Sequence, residues 1–429
     1  MNRRMHLRAP WVSRVLILCG FAAAVSLAAC EEKLEAGAAC PILCAQPNVT
    51  LKDTTVEAIA VDSSLPGFPP IGEESPLLLA ARGDSVETRV IFRFDSIAKT
   101  FPHPSAPADT VVTHVDSATL RIVLDTTTVV GVPGLPTSPV TIELYDVDAA
   151  TDTVAANLLP LFTSSRLLGS KSFAPETLAK DTLLLPISTA AVLDKITNGT
   201  HLRIGLRLVS TSSAQLRIHS GTTLRFKPAT DTAVNVALLS LTPTDTTLAQ
   251  LRLDLADYVI TAKTVIPPAN TISVGGYPGR RTYMRFDLPS RIVDSSTVVR
   301  ATLTLTQFPV RSSPSALDSV AVYPFPITAG AIVTDIPRLM RLVSVNTVAA
   351  ADSLRLFPAD SGTRRLELVN LVRVWRNTKA EQTQRALVLV MGAEGERPAI
   401  AAFFSSEASS ALRPRLQLTY VPTVTLGLP

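Results

Sequence analysis

Aromatic side chains make up only 5% of the 429 residues, and charged ones only 18%. So little charge argues against a long coiled coil, and a hydrophobic content of 46% excludes a disordered chain. Histidine is scarce as well. After residue 29 only His103, His114, His201 and His219 remain, isolated from one another in sequence. No G-x-S-x-G, H-E-x-x-H or G-x-x-x-x-G-K-[ST] string occurs, so the sequence singles out no nucleophile with its base and no catalytic residue. An excess of one charge sign is also missing. The net +4 comes from Arg3, Arg4, Arg8 and Arg14, and the chain after residue 29 holds 36 basic and 36 acidic side chains. A neutral chain lacks the clustered Lys and Arg that displace counterions, which argues against a nucleic-acid partner.

Long apolar runs are missing too. The uncharged stretch Val15 to Ala29 has 15 residues, short of the roughly 20 that span a bilayer. It follows the four arginines and ends in Leu27-Ala28-Ala29-Cys30, which predicts a signal peptide over residues 1–29. That ending resembles the lipobox of bacterial lipoproteins, in which small residues precede an obligatory Cys. The resemblance implies cleavage before Cys30, lipidation of its thiol and acylation of the new amine, so that the membrane is a partner through several acyl chains. Glu31-Glu32-Lys33 places no Asp beside the Cys, and by resemblance to lipoprotein sorting this implies the outer rather than the inner membrane. The other reading is a plain secretory signal with Cys30 incidental. Cys19 falls within the leader, which leaves Cys40 and Cys44 as one pair in the predicted tether, residues 30–49. An exported compartment favours a local disulfide between them, a metal or redox pair being the alternative.

Beyond residue 50 short runs rich in Val, Leu, Ile and Thr recur between Pro, Gly, Asp and Ser, as in Ala118 to Leu124 and Ala301 to Thr306. Their period of two predicts half-buried strands. Only Thr189 to Ile196 and Leu368 to Arg376 look like short helices. The expected class is all-β, with two tandem antiparallel β-sandwich domains of jelly-roll type. An internal repeat supports the tandem. Arg89-Val-Ile-Phe-Arg-Phe-Asp95 matches Arg281-Thr-Tyr-Met-Arg-Phe-Asp287, and Leu183 to Leu208 parallels Arg365 to Val390. The boundary lies between 228 and 245 and is placed at 243, giving domains 50–243 and 244–429.

In the second copy, Tyr283-Met-Arg-Phe-Asp-Leu288 is followed by Val298 to Leu305, Val369 to Trp375, Phe403-Phe-Ser-Ser-Glu407 and Arg413 to Tyr420. In that order these resemble the DNRLRE-domain family of secreted β-sandwiches related to carbohydrate-binding modules. The match is good over about residues 245–422 and loose over 50–243, where the Trp and the Ser-Ser-Glu are missing; the literal DNRLRE string is absent from both copies. The resemblance implies a jelly-roll sandwich with a non-catalytic surface role.

Read as residues, Arg285 and Asp287 share one strand face, where Arg285 is either a binding residue or one half of an ion pair with an acid across the sheet beside the core, and Phe286 points the other way into the core. Trp375, the one Trp after residue 29, is either a buried anchor or a sugar-stacking platform, and Phe403-Phe404 has the same choice. Asp146 with Asp148, and Asp254 with Asp257, could hold a structural Ca²⁺ or be solvated turn carboxylates. Gly275 to Arg281 reads as a hairpin loop. No cofactor is implied and no ligand-binding residue is identified. The expected function is a lipid-anchored binding module for glycan or cell-wall polymer. A structural envelope lipoprotein docking a protein partner is the alternative.

Overall fold

The computed structural model describes residues 50–422 apart from 58–60, 105, 130–131, 150–151, 200, 230–235, 247–254, 311–318, 328–351 and 381–384. Cys30, Cys40, Cys44 and Asp254 lie outside the described residues. The period-two runs form strands because branched side chains suit the pleated backbone and successive side chains face opposite ways. In His114–Val123, for example, Ala118, Leu120 and Ile122 are buried while Thr119, Arg121 and Val123 are not.

The first described strands are β1 Lys52–Glu57, β2 Val61–Phe68, β3 Leu77–Arg82, β4 Val86–Phe94, β5 Thr100–Phe101, β6 Thr110–Val111, β7 His114–Val123 and β8 Val140–Asp146. Next come β9 Leu167–Phe173, β10 Thr182–Pro186, β11 Leu202–Val209, β12 Ala214–Ile218, β13 Thr223–Ala229, β14 Leu239–Leu241, β15 Asp257–Lys263 and β16 Thr271–Gly275. The last are β17 Gly279–Arg285, β18 Ser296–Phe308, β19 Val320–Ile327, β20 Leu354–Leu356, β21 Gly362–Glu367, β22 Ala386–Met391, β23 Ile400–Phe404 and β24 Arg415–Pro422. Helix α1 spans Thr189–Asn198 and α2 spans Val369–Asn377. Ser188 caps α1 by accepting the Ala191 amide, and Gly199, at φ 63°, ends it in the left-handed conformation that costs glycine little.

The protein is all-β, and every ladder among the described strands is antiparallel. In the N-terminal lobe a seven-stranded sheet, β12-β3-β4-β11-β8-β9 with β15 on β4, faces a four-stranded one, β10-β7-β13-β14. In the C-terminal lobe β18 pairs with β24 and β21, and at Gln307 and Phe308 with β23, which joins both layers into one curled eleven-stranded sheet.

The internal repeat is carried by the pairings. The ladders β3–β4, β4–β11, β11–β8, β12–β3, β7–β13 and β7–β10 recur as β16–β17, β17–β22, β22–β19, β23–β16, β18–β24 and β18–β21. α1 and α2 occupy matching places between β10 and β11 and between β21 and β22. The closing strand of the first copy is therefore β13, the equivalent of β24.

Three strands cross the division expected at 243. β1 pairs with β24 and β2 with β17, so the first two strands complete the C-terminal lobe. Reciprocally β15 pairs with β4, so a strand of the second half completes the N-terminal lobe. The physical reason is edge satisfaction: β3 covers β4 only at Val86–Thr88, and β16 meets β17 only at Gly275 and Arg280. The rest of each edge is paired by the strand from the other half.

The cores follow this division of labour. Phe92, Phe94, Leu120, Leu144, Leu206 and Phe226 fill the N-terminal lobe, joined by Val259 and Tyr277 from the second half. Met284, Phe286, Leu303, Trp375, Phe403 and Leu418 fill the C-terminal lobe.

Candidate functional site

The repeated Arg-Phe-Asp stretch is a joint between the halves. In the first copy Arg93 Nε meets Asp95 Oδ1 at 2.5 Å and Arg93 Nη1 meets Asp245 at 3.2 Å. The Thr244 amide donates to the Arg93 carbonyl at 2.8 Å, and the Thr246 amide donates to Asp95. Burial pushes the Asp95 carboxyl up, but the hydrogen bonds from Arg93 and Thr246 outweigh it and hold it below the usual carboxylate range. In the second copy Phe286 is buried and its ring lies 6.4 Å from that of Trp375.

The other residues singled out by the sequence fall as follows. Trp375 is fully buried in α2, and its Nε1 donates to the Ala386 carbonyl at 3.2 Å. Phe403 is buried, and Phe404 packs edge-on against Phe308 at 5.4 Å. Asp146 and Asp148 both reach Lys195 of α1, at 3.3 and 2.9 Å, so these carboxylates are held by an ammonium. Among the described residues no group of three or more His, Cys, Asp or Glu is placed to hold a metal ion. Gly275 and Gly276, both at positive φ, turn the β16–β17 hairpin. Phe357 is the one exposed aromatic among the described residues.

Among the described residues, two cavities are of ligand size. The first, about 250 Å³, is lined by Asp125, Thr126, Thr127, Thr128, Gln215 and Arg217, with no aromatic side chain in its wall. Arg217 Nη1 lies 3.2 Å from Asp125 and 3.0 Å from Glu396, which joins the two lobes through a buried guanidinium. Burial raises the Asp125 carboxyl, but Thr127 and the Arg217 charge bring it below its usual range. The cleft thus presents Thr hydroxyls and the Gln215 amide, whose oxygen accepts from Arg82 at 3.2 Å, beside an ion triplet and an apolar side of Val129, Val132, Pro133 and Leu135, a mixed lining that suits a neutral polyhydroxyl ligand.

The second cavity, about 320 Å³, sits where β2, β15 and the β16–β17 hairpin meet. Phe68, Pro69, Val259, Ile260 and Tyr277 supply an apolar wall, and Glu74 is the acid in it. The Glu74 carboxylate accepts the Gly72 amide at 2.5 Å and the Val259 amide at 3.4 Å. Burial pushes it up to about 7, against the pull of these amides and with help from the Asp257 carboxylate. Sequence reading passed over Glu74 because an acid beside Gly and Pro looks like an ordinary turn. Its one signal was a carboxyl inside an otherwise apolar, Pro-rich stretch.

The Glu74 carboxyl makes stability pH-dependent. Its folded value near 7 exceeds the unfolded 4.5, so the native state keeps a proton that the unfolded chain has lost. The resulting stabilisation is complete below pH 4.5 and disappears as pH rises through 7. At about 1.4 kcal/mol per unit it amounts to at most ~3 kcal/mol. Glu74→Gln is expected to flatten the fall in stability between pH 5 and 8, read as denaturant midpoints across that range.

No family model matches the chain, and no curated protein matches it. Among solved structures, that of the infectious bursal disease virus Gx strain is similar at 10% identity over 87% of this chain and 77% of that one, with a TM-score of 0.13. The T=1 particles derived from infectious bursal virus give 11% identity, 87% and 74% coverage and a TM-score of 0.12. The VP2 subviral particle of infectious bursal disease virus gives 9%, 87%, 76% and 0.11. Likenesses of this size carry no argument about fold or function. Among the described residues no helix is long and apolar enough to cross a membrane, which says nothing of a β-barrel.

Proposed function

We propose that this chain is a non-catalytic, extracytoplasmic lipoprotein, held at the outer membrane through acyl chains on Cys30, whose two lobes serve as one rigid docking body for an envelope partner. The observation that carries the reading is the exchange of edge strands: with β1 and β2 in one lobe and β15 in the other, the halves do not act as beads on a flexible linker. The interior placement of Trp375 and Phe403 supports it, because a sugar-stacking platform needs its rings at the surface. The DNRLRE-like pattern and the hydroxyl-lined cleft favour a second reading, a module for glycan or cell-wall polymer.

Two measurements test this. Cys30→Ser is expected to release the protein from the membrane fraction and abolish labelling by a radioactive fatty acid; retention of both would remove the anchor. Purified residues 45–429 are expected to bind none of a panel of bacterial and plant polysaccharides, with or without Ca²⁺. Saturable binding that vanishes in Gln215→Ala would overturn the docking reading in favour of the glycan module.

A further inference from the structure

We propose that the cavity between β2, β15 and the β16–β17 hairpin is a binding site for a small organic ammonium ion carrying an apolar body. The argument starts from unmet demand. Glu74 is only 8% exposed, the groups that hydrogen-bond its carboxylate are backbone amides, and the charged side chain that bears on it is a second acid, Asp257. A buried carboxylate without a cation is costly, and an ammonium is the counter-charge that relieves it.

The rest of the wall fits the same ligand. Tyr277 is 4% exposed and lines the cavity with its ring, its hydroxyl being buried behind the wall. Tyr277 adds an aromatic ring, which attracts organic cations, while Phe68 supplies apolar wall, one face of its ring being taken by the Arg281 guanidinium at 3.9 Å. Val259 and Ile260 receive apolar carbon, and Ile71 and Val154, both strongly exposed, form an apolar rim at the mouth. At about 320 Å³ the cavity lies at the small end of ligand pockets, which suits one ring or a short alkyl chain. An anion is disfavoured by both acids, and a neutral alcohol leaves the charge uncompensated.

The test uses the soluble chain with n-hexylamine, and hexan-1-ol and hexanoate as matched controls, in calorimetric titrations at pH 6 and pH 8. The amine is charged at both. Saturable one-site binding of hexylamine at least about tenfold tighter than hexan-1-ol, with no binding of hexanoate, is expected. The carboxyl that titrates near 7 must ionise to pair with the ammonium. Binding at pH 6 should therefore release close to one proton, measured by varying the buffer's ionisation heat, and release should fall toward zero at pH 8. Affinity should rise about tenfold between the two. Glu74→Gln should abolish both the preference over the alcohol and the pH effect, and Tyr277→Phe, which keeps the ring that lines the cavity, should bind as the unmodified chain does. Equal affinity for amine and alcohol, or no proton release at pH 6 in the unmodified chain, would overturn the proposal without recourse to either variant.

Discussion

A chain that begins at residue 69 is expected to lose much of the stability of its C-terminal lobe, although every residue of the second sequence repeat is still present. The missing strands β1 and β2 pair with β24 and β17. They bring Phe68, which is 2% exposed and lies beneath the Arg281 guanidinium at 3.9 Å. They also bring Ser64, whose hydroxyl bonds Thr282 at 2.8 Å and accepts the Ser273 amide at 2.6 Å. Burying one large apolar side chain is worth about 3 kcal/mol, and each hydrogen bond about 1. The loss of about 5 kcal/mol is comparable to the whole stability of many domains and corresponds to a melting shift of about 10 °C or more. The bared edges of β17 and β24 should also lose protection from hydrogen exchange and promote aggregation. A synthetic peptide of residues 50–69 added in trans should restore both. An unchanged melting profile in the shortened chain would show that the exchanged strands do not hold the lobe.

Replacing Trp375 by Ala is expected to destabilise the protein by about 3–5 kcal/mol. The side chain is fully buried, its ring packs against Phe286, and it bonds the Ala386 carbonyl. Trp375→Phe should cost less, because most of the apolar volume remains. Thermal unfolding of both variants checks the ranking. If Trp375→Ala melts with the parent protein, the indole is not a core anchor.

Much of this arrangement can be read from the chain. The alternating runs marked the strands, and Thr189 to Ile196 and Leu368 to Arg376 foreshadowed α1 and α2, because each carries apolar residues at helical spacing within a β pattern. Phe286 is a core residue where period two put it, and of the two readings open for Phe403 the structure has the buried one. Which edge a strand would complete was not legible. β2 reads Val-Asp-Ser-Ser-Leu-Pro-Gly-Phe, with little strand propensity of its own, and it is extended because β17 offers unpaired backbone groups. β15 lies beyond the boundary expected at 243, and nothing local says that its partner is β4. The cavity at Glu74 was hidden for the same reason, since it exists only where segments near residues 70, 155, 260 and 277 converge.

The exchange of edge strands also sets the order in which the molecule can be built. Synthesis runs from the N-terminus, so β1 and β2 are made before the strands they pair with, and β24, the partner of β1, is the last of the described strands to be made. Asp53 finds Thr419 across 366 positions of sequence. Contacts of such separation slow folding, because the intervening chain must be closed before they stabilise anything. β2 can therefore pair only once β17 has been made, and β1 only once β24 has been made. A chain interrupted before residue 257 would leave the N-terminal lobe without β15, and one interrupted before residue 415 would leave β1 without its partner.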